Sequence, residues 1–534
     1  MRIRSAFRSA FFSAAIIFVL VASTLAQTLP AIPSEGLDAI TPTELRMHLS
    51  FLASDELGGR YTISEGNRVA ARYLASRLQS YGFHPAKPGG DFLQKIPMLV
   101  TETDPNQVSF AIDGKPAKYA SDYLYSSMAN TADATAETVF VGYGVSSPEN
   151  KYDDYASVDV KGKIVVMSLG MPTALEEKTI PEKEQGEFAA AAHGAIGVIQ
   201  ISSSSRPDPW NYYHQLYVGE HVSVIHPGEI PEPVSNLPVI IAREHIGERL
   251  LQGAAKNLKD LLSAINRGNS ESMPLKHSVT IHAKTRREKT FGQNVVGILD
   301  GSDPQLKKEY VAFSAHYDHL KTINGQIFNG ADDDGSGTSA VLNIARAFSL
   351  THPKRSILVI FHTGEELGLY GSEYFTDYEP LVPLNQIVTD LNIDMVGRVR
   401  APDDKMPGDR ELSDFDSIYL IGADRLSSEL NGISEATNRE IGKMHLNYKY
   451  NDPRDPNQFY ERSDHFNYAK HGIPVIFYFT GEHVDYHKPS DKVEKINFDK
   501  MARVAKFVYA TGWRVANMDH RLEVDNGKKA AGGH

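Results

Sequence analysis

The sequence predicts an α/β protein: a mostly parallel, mixed sheet sandwiched by helices, with a β-rich unit inserted ahead of it. From Asn294 onward, short apolar runs alternate with segments of helical period, the order that builds a parallel sheet covered on both faces. One run, Ser356 to Phe361 (Ser-Ile-Leu-Val-Ile-Phe), is apolar almost throughout, as a central parallel strand must be. Between about residues 100 and 285 the texture changes to short β-rich runs and turns.

Residues 1–26 have the form of an export signal. Arg2, Arg4 and Arg8 precede an apolar run from Ala10 to Ala22, and Thr24-Leu25-Ala26 offers small residues for a cut before Gln27. Its removal takes the formal net charge from -12 to -15, and the product is expected to be exported, periplasmic or secreted, with no membrane partner after cleavage. Residues 27–100 are expected to be a helical first part of the main domain. Thr41 caps a helix with Pro42 in its first turn and Leu45, Leu49 and Leu52 on one face. A second helix spans about Ser64 to Tyr81 and stops at Gly82. Ser54 to Arg60 is a turn-rich link between them. Residues 101–286 form the inserted unit, with β-runs at 138–141, 163–167, 198–201 and 238–241 and a polar loop from Ser202 to Pro209.

Residues 287–520 carry the α/β pattern. Strands are expected at 310–315, 356–361, 387–393, 418–421 and 474–479, and helices at 337–350, 369–378, 426–438, 464–470 and 496–513. Residues 521–534 read as a polar tail. With 534 residues, two or three domains are expected. The acidic balance argues against a nucleic-acid partner, which would want a basic face. The chain has no cysteine, so thiolate metal sites, disulfides and cysteine nucleophiles are excluded. It also lacks a G-x-S-x-G nucleophile elbow.

The chemistry gathers at the carboxyl ends of the expected strands, where open α/β sheets bind ligands. His316 and Asp318 are two apart at a strand end, so they point the same way, and Asp318 can orient a metal-binding His316. His319 is expected to face away and to be structural. Asp332-Asp333-Asp334 lies between Gly330 and Gly335-Ser336-Gly337, and three adjacent like charges call for a cation; which of them bridges two ions is open at this level. Glu365-Glu366 is expected to close a strand, so that one carboxylate binds metal while its neighbour faces the attacking water. Asp394 sits in an apolar run and must be paired or on a metal. Tyr486-His487 supplies the remaining imidazole.

These five segments, with Ser463-Asp464-His465-Phe466 and Gly472-Ile473-Pro474-Val475, resemble the M28 zinc peptidases, the aminopeptidase Y and bacterial leucyl-aminopeptidase relatives, over roughly residues 36–100 and 287–518. The insert, from Val141-Gly142-Tyr143-Gly144 to Val165, resembles a protease-associated (PA) domain. The resemblance implies a phosphorylase/hydrolase-like zinc exopeptidase fold and two zinc ions. It implies that His316, Asp333 and Glu366 hold one ion, and that Asp333, Asp394 and His487 hold the other. It implies that Asp318 orients His316, that Tyr486 helps to stabilise an oxyanion, and that the Asp333–Asp334 peptide is cis. Glu365 is then the general base, taking a proton from the attacking water and passing it to the leaving amine. The implied activity is an aminopeptidase acting on peptides. A glutamate-type carboxypeptidase is the alternative, with Arg398, Arg400 or Arg462 for the substrate carboxylate. Further readings are a glutaminyl cyclase and a non-catalytic peptide-binding protein.

Overall fold

A computed structural model describes residues 29–526 apart from 127, 128, 130, 177, 203–209, 211–217, 229–236 and 268–270. The expected export signal, most of the polar loop at 202–209 and the end of the tail lie outside the described residues. No helix among the described residues is long and apolar enough to cross a membrane.

The N-terminal part folds as its caps dictate. Helix α1 (Pro42–Leu52) starts at Thr41, whose hydroxyl accepts the Glu44 N–H at 3.2 Å. Helix α2 (Glu65–Ser80) starts at Ser64, whose hydroxyl accepts the Asn67 N–H, and the chain leaves it through Gly82 at φ +85°. Both bury their leucines and alanines in one core with the main sheet.

The main sheet is built from β1 (Leu93–Ile112), β2 (Ala132–Phe140), β3 (Ile164–Ser168), β4 (Gly197–Ser202), β5 (Glu220–Val224), β6 (Val239–Arg243), β7 (Met273–Leu299), β8 (Tyr310–His316), β9 (Ser356–His362), β10 (Ile387–Ile393), β11 (Ser417–Ile421) and β12 (Val475–Phe479). Strand β8 lies at the centre of one half, parallel to β9 on one side and β10 on the other. Beyond β10 comes the parallel β12, then the antiparallel β11. Alternate residues point to opposite faces, as the pleat requires. Val311, Phe313, Val359 and Leu391 face a core shared with α3 (Gly335–Thr351) and α4 (Phe498–Asn517). Ala312, Leu358, Ile360 and Val475 face a second, smaller core with Phe375 and Tyr468. This half is the helix-covered, mostly parallel sheet that the sequence predicts.

The other half has a separate hydrophobic core, running from Phe110 to Ala283, around the parallel strands β2, β3, β4 and β6. The two halves share strands. Residues 295–299 of β7 pair with β9, while residues earlier in β7 pair with β1 and β2. The boundaries expected at 101 and 287 therefore fall inside two long strands rather than in linkers. Two smaller expectations change. The helix expected at 369–378 is four α-helical residues, Tyr370–Glu373, continued by a wider turn at Tyr374–Tyr378. Strand β9 ends at His362, so Glu365 and Glu366 stand in the turn after it, between Gly364 and Gly368, both at positive φ.

Helix α4 packs on β8 without a side chain at Gly512. A Cβ there would lie 2.3 Å from Phe313 Cζ and 3.2 Å from Leu391 Cδ1. Gly512→Ala gains about 1 kcal/mol of helix propensity. Forcing a buried ring aside costs about 1–3 kcal/mol. The variant is expected to be less stable than the parent in urea denaturation.

Candidate metal centre

Three of the segments that build the site lie at or just past strand ends. His316 is the last residue of β8, Asp394 comes directly after β10, and Glu365-Glu366 lies past the end of β9. The three adjacent aspartates have three different tasks. Asp334 caps α3: its Oδ1 accepts the Gly337 N–H at 2.8 Å and the Met395 N–H at 3.1 Å. Asp332 accepts the Gly397 N–H at 2.6 Å, and its other oxygen lies 3.3 Å from His483 Nε2. Asp333 alone turns into the site. The Asp333–Asp334 peptide is cis.

Asp333 stands between two imidazoles. His316 Nε2 lies 3.3 Å from its Oδ1, and His487 Nε2 lies 3.1 Å from its Oδ2. On the first side His316 Nε2 is also 3.6 Å from Asp394 Oδ1. On the second, His487 Nε2 is 3.0 Å from Glu366 Oε2. Donors 2.0–2.2 Å from one tetrahedral zinc stand about 3.3–3.6 Å apart, so each cluster is close to the spacing of one ion's ligands. Several of these donors are buried with no hydrogen-bond partner: His316 Nε2, His487 Nε2, Asp333 Oδ2 and Glu366 Oε1. Buried polar atoms are ordinarily paired, and a pair of cations bridged by Asp333 would satisfy these. The residues fit two zinc ions.

The expected five ligands come together, but their division differs from that expected. Glu366 groups with His487 rather than His316, and Asp394 with His316 rather than His487. Chain order carries no information on which imidazole a carboxylate will face. His319 does not face away. Strand β8 ends at His316, so the alternation assumed to continue to residue 319 stops there. Its Nδ1 lies 2.6 Å from Glu366 Oε1 and 3.6 Å from Asp333 Oδ2.

Glu365 stands beside the first cluster, its Oε2 3.7 Å from His316 Nε2, and burial holds its carboxyl well above the usual range. Asp318 approaches His316 in two ways: its backbone carbonyl is 3.2 Å from Nδ1, and its carboxylate is 3.6 Å away. That carboxylate also accepts the Thr62 hydroxyl at 2.9 Å and the Glu365 N–H at 3.3 Å. Asp318 thus ties together His316, the turn carrying Glu365 and the N-terminal segment. Tyr486 stacks on the His487 ring at 3.8 Å, and burial, with Asp333, Glu366 and Glu365 nearby, holds its phenol protonated.

Behind Asp394 runs a chain of buried polar groups. Ser463 Oγ donates to Asp394 Oδ2 at 2.7 Å, and Asn392 Nδ2 donates to Ser463 at 2.9 Å. Ser314 connects Asn392 to Asp390, whose carboxyl burial pushes up to about 8. On the open side the cleft is lined by Met395, Phe459, Phe477 and Phe479, with Arg462 and Glu482 paired at 2.9 Å.

Sequence reasoning assigns no role to Arg60. This buried guanidinium makes no bond to a carboxylate. It donates to four backbone carbonyls: Tyr317 at 2.8 Å, Leu52 at 2.6 Å, Asn329 at 2.5 Å and Gly330 at 2.9 Å. It thereby clamps both segments that carry ligands, the one after His316 and the one before Asp333. Burial lowers its pKa from the ordinary arginine value, and Asp333, Asp318, Asp334 and Asp491 act against that through space. An arginine directly after Gly58-Gly59 is the one signal of it in the sequence.

Residues 294–512 match the model of peptidase family M28. A probable leucine aminopeptidase 2 from Aspergillus oryzae is 28% identical over 261 residues, covering 48% of this chain and 46% of that protein. Aminopeptidase YwaD from Bacillus subtilis is 24% identical over 263 residues, covering 48% of this chain and 52% of that protein. The chain spans about half the length of the curated relatives it matches. Among solved structures, an aminopeptidase from Aneurinibacillus sp. strain AM-1 has a TM-score of 0.57 at 18% identity, over 92% of this chain and 97% of that one. BSAP, a zinc aminopeptidase from Bacillus subtilis, has a TM-score of 0.52 at 19% identity, over 90% and 96%. At these identities the two structures establish a shared fold.

Arg60→Met is expected to weaken zinc binding by about 10–100-fold, the range seen when groups that orient ligands are lost. Arg60→Lys should not restore it, because one ammonium cannot span four carbonyls in a fork. Competition with a chromogenic chelator measures both.

Proposed function

Because residues 294–512 match the model of peptidase family M28, we propose that this chain is an exported di-zinc exopeptidase that removes N-terminal residues from peptides. One observation carries the reading: two donor clusters share Asp333, while Glu365 stands beside the first of them and belongs to neither. Bound zinc would supply an electrophile for the substrate carbonyl and a water made nucleophilic near neutral pH. His316, Asp333 and Asp394 would hold one ion, and Asp333, Glu366 and His487 the other.

The remaining steps belong to the chain's own groups. Glu365 takes a proton from the attacking water and delivers it to the departing amine. Asp318, bonded to the Glu365 N–H, fixes the turn that aims this carboxylate. The Tyr486 phenol, held protonated, donates to the oxygen on which negative charge develops. The phenylalanine-walled cleft receives an apolar side chain.

Removal of N-terminal residues is favoured over the carboxypeptidase reading by the charges at the cleft. Asp333, Glu365, Asp394 and Glu482 line it, which suits a free α-amine. The three arginines that could take a carboxylate do not converge. Arg398 pairs with Asp485 at 2.8 Å, Arg400 donates to the Arg410 and Asp404 carbonyls, and Arg462 pairs with Glu482. Export rests on the character of residues 1–26. For the insert, a PA-like module is supported by its separate core and parallel strands.

The test is hydrolysis of one short peptide in four forms by the zinc-loaded chain: free, N-acetylated, C-amidated, and both. Cleavage should be lost on acetylation and kept on amidation; the reverse pattern would make the protein a carboxypeptidase. Chelation should abolish turnover and zinc should restore it. Glu365→Ala should keep both zinc ions by elemental analysis while kcat falls by about 10²–10⁴-fold.

A further inference from the structure

His319 lies outside the five-ligand set, yet its surroundings are those of a ligand. Its side chain is completely buried, and neither ring nitrogen has an aligned hydrogen bond. A neutral imidazole carries one N–H and one lone pair, and burying both unpaired is costly. The Nδ1 atom is 3.6 Å from Asp333 Oδ2, the spacing of two ligands on one zinc, and 2.6 Å from Glu366 Oε1, closer than that spacing, so that Glu366 would ligate through its other oxygen. Across the same two carboxylates stands His487, edge to face, with the ring centroids 5.7 Å apart. Glu366 turns one oxygen toward each imidazole, Oε1 to His319 and Oε2 to His487.

The backbone makes room for this ring. Gly330 has φ +53°, and a Cβ there would lie 2.5 Å from His319 Cγ and 2.2 Å from the Asp333 carbonyl. Any side chain at residue 330 would drive the His319 ring away from Asp333. From the other side, the His319 N–H donates to the Arg60 carbonyl at 3.3 Å, which fixes its backbone to the guanidinium-clamped segment.

We propose that His319 is a further protein donor to the second zinc, through Nδ1, beside Asp333, Glu366 and His487. The inference rests on the di-zinc reading above. It makes the two sites unequal. The second has four protein residues, enough to fill a zinc coordination shell, as in sites where zinc holds structure. The first has three, His316, Asp333 and Asp394, and so keeps a position open next to Glu365. The second site should therefore bind zinc more tightly and load first.

The test uses the full chain with two zinc ions bound. X-ray absorption at the zinc edge counts imidazoles: three over two ions give about 1.5 per zinc, whereas His316 and His487 alone give about 1.0. Two variants separate coordination from hydrogen bonding. His319→Ala removes the nitrogen altogether. His319→Asn keeps an N–H near Glu366 but offers a poor zinc ligand. Both should weaken the tighter site by at least about tenfold, leave the weaker site unchanged and lower the imidazole count. A parent count of about 1.0, or an Asn variant that binds within about twofold of the parent, would overturn the role of His319. If the variants fail to fold, the parent count alone decides. A parent that binds fewer than two zinc ions would overturn the di-zinc reading itself, a result separate from the other two.

Discussion

The fold is governed by the need to bury many carboxylates in one place without unfolding the sheet that carries them. Asp318, Asp332, Asp333, Asp334 and Asp394 are all buried, and Glu365 and Glu366 stand beside them. Isolated carboxylates cannot be taken out of water at that density. The chain divides the problem. Asp334 takes the Gly337 and Met395 N–H groups on one oxygen, and Asp332 takes the Gly397 N–H on one oxygen with His483 3.3 Å from the other. Arg60 supplies a fixed cation that spends its hydrogen bonds on carbonyls and leaves its charge to act through space. The unpaired nitrogens His316 Nε2 and His487 Nε2 both face Asp333, where bound metal would satisfy them.

The sheet brings these groups together because its central strands run parallel. Strands β8, β9 and β10 end at the same edge, so His316, the turn carrying Glu365 and Glu366, and Asp394 arrive side by side. Asp333, just ahead of α3, and His487 come from outside that set, and the left-handed backbone of His487 (φ +54°) belongs to an irregular segment, as is common at functional sites. Thr62 and Arg60 close the arrangement from the N-terminal side. The segment from Leu52 to Thr62 is therefore part of the site's framework, although none of its side chains enters either donor cluster.

Much of this is legible in the sequence because the apolar runs leading into the ligands are unambiguous. Ser356–Phe361 can be little other than a buried strand, and the residues past its end must face the ligand edge. The ligands are readable as a set, whereas their partition is not, since a carboxylate's partner depends on side-chain direction beyond the strand. His319 misleads for a related reason: a two-residue period applies only while the strand lasts. Arg60 escapes notice because its acceptors are distant, 257 residues away at Tyr317 and 270 at Gly330. The long strands β1 and β7 are concealed by polar stretches such as Lys284 to Lys289. In a ribbon with solvated faces, charged side chains are compatible with pairing, so apolar alternation is no guide there.

The sharing of β7 between the two halves has a mechanical side. An inserted unit is usually pictured as tethered by flexible connectors on which it can swing. Here both crossings are strands, β1 outward and β7 back, paired to each other at residues 93–103 and 108–112 of the first, with an irregularity between. Such a ribbon resists bending in its plane and yields by twisting. Any load placed on the insert therefore reaches the main sheet as torque on β7, one strand from β9 and the turn of Glu365.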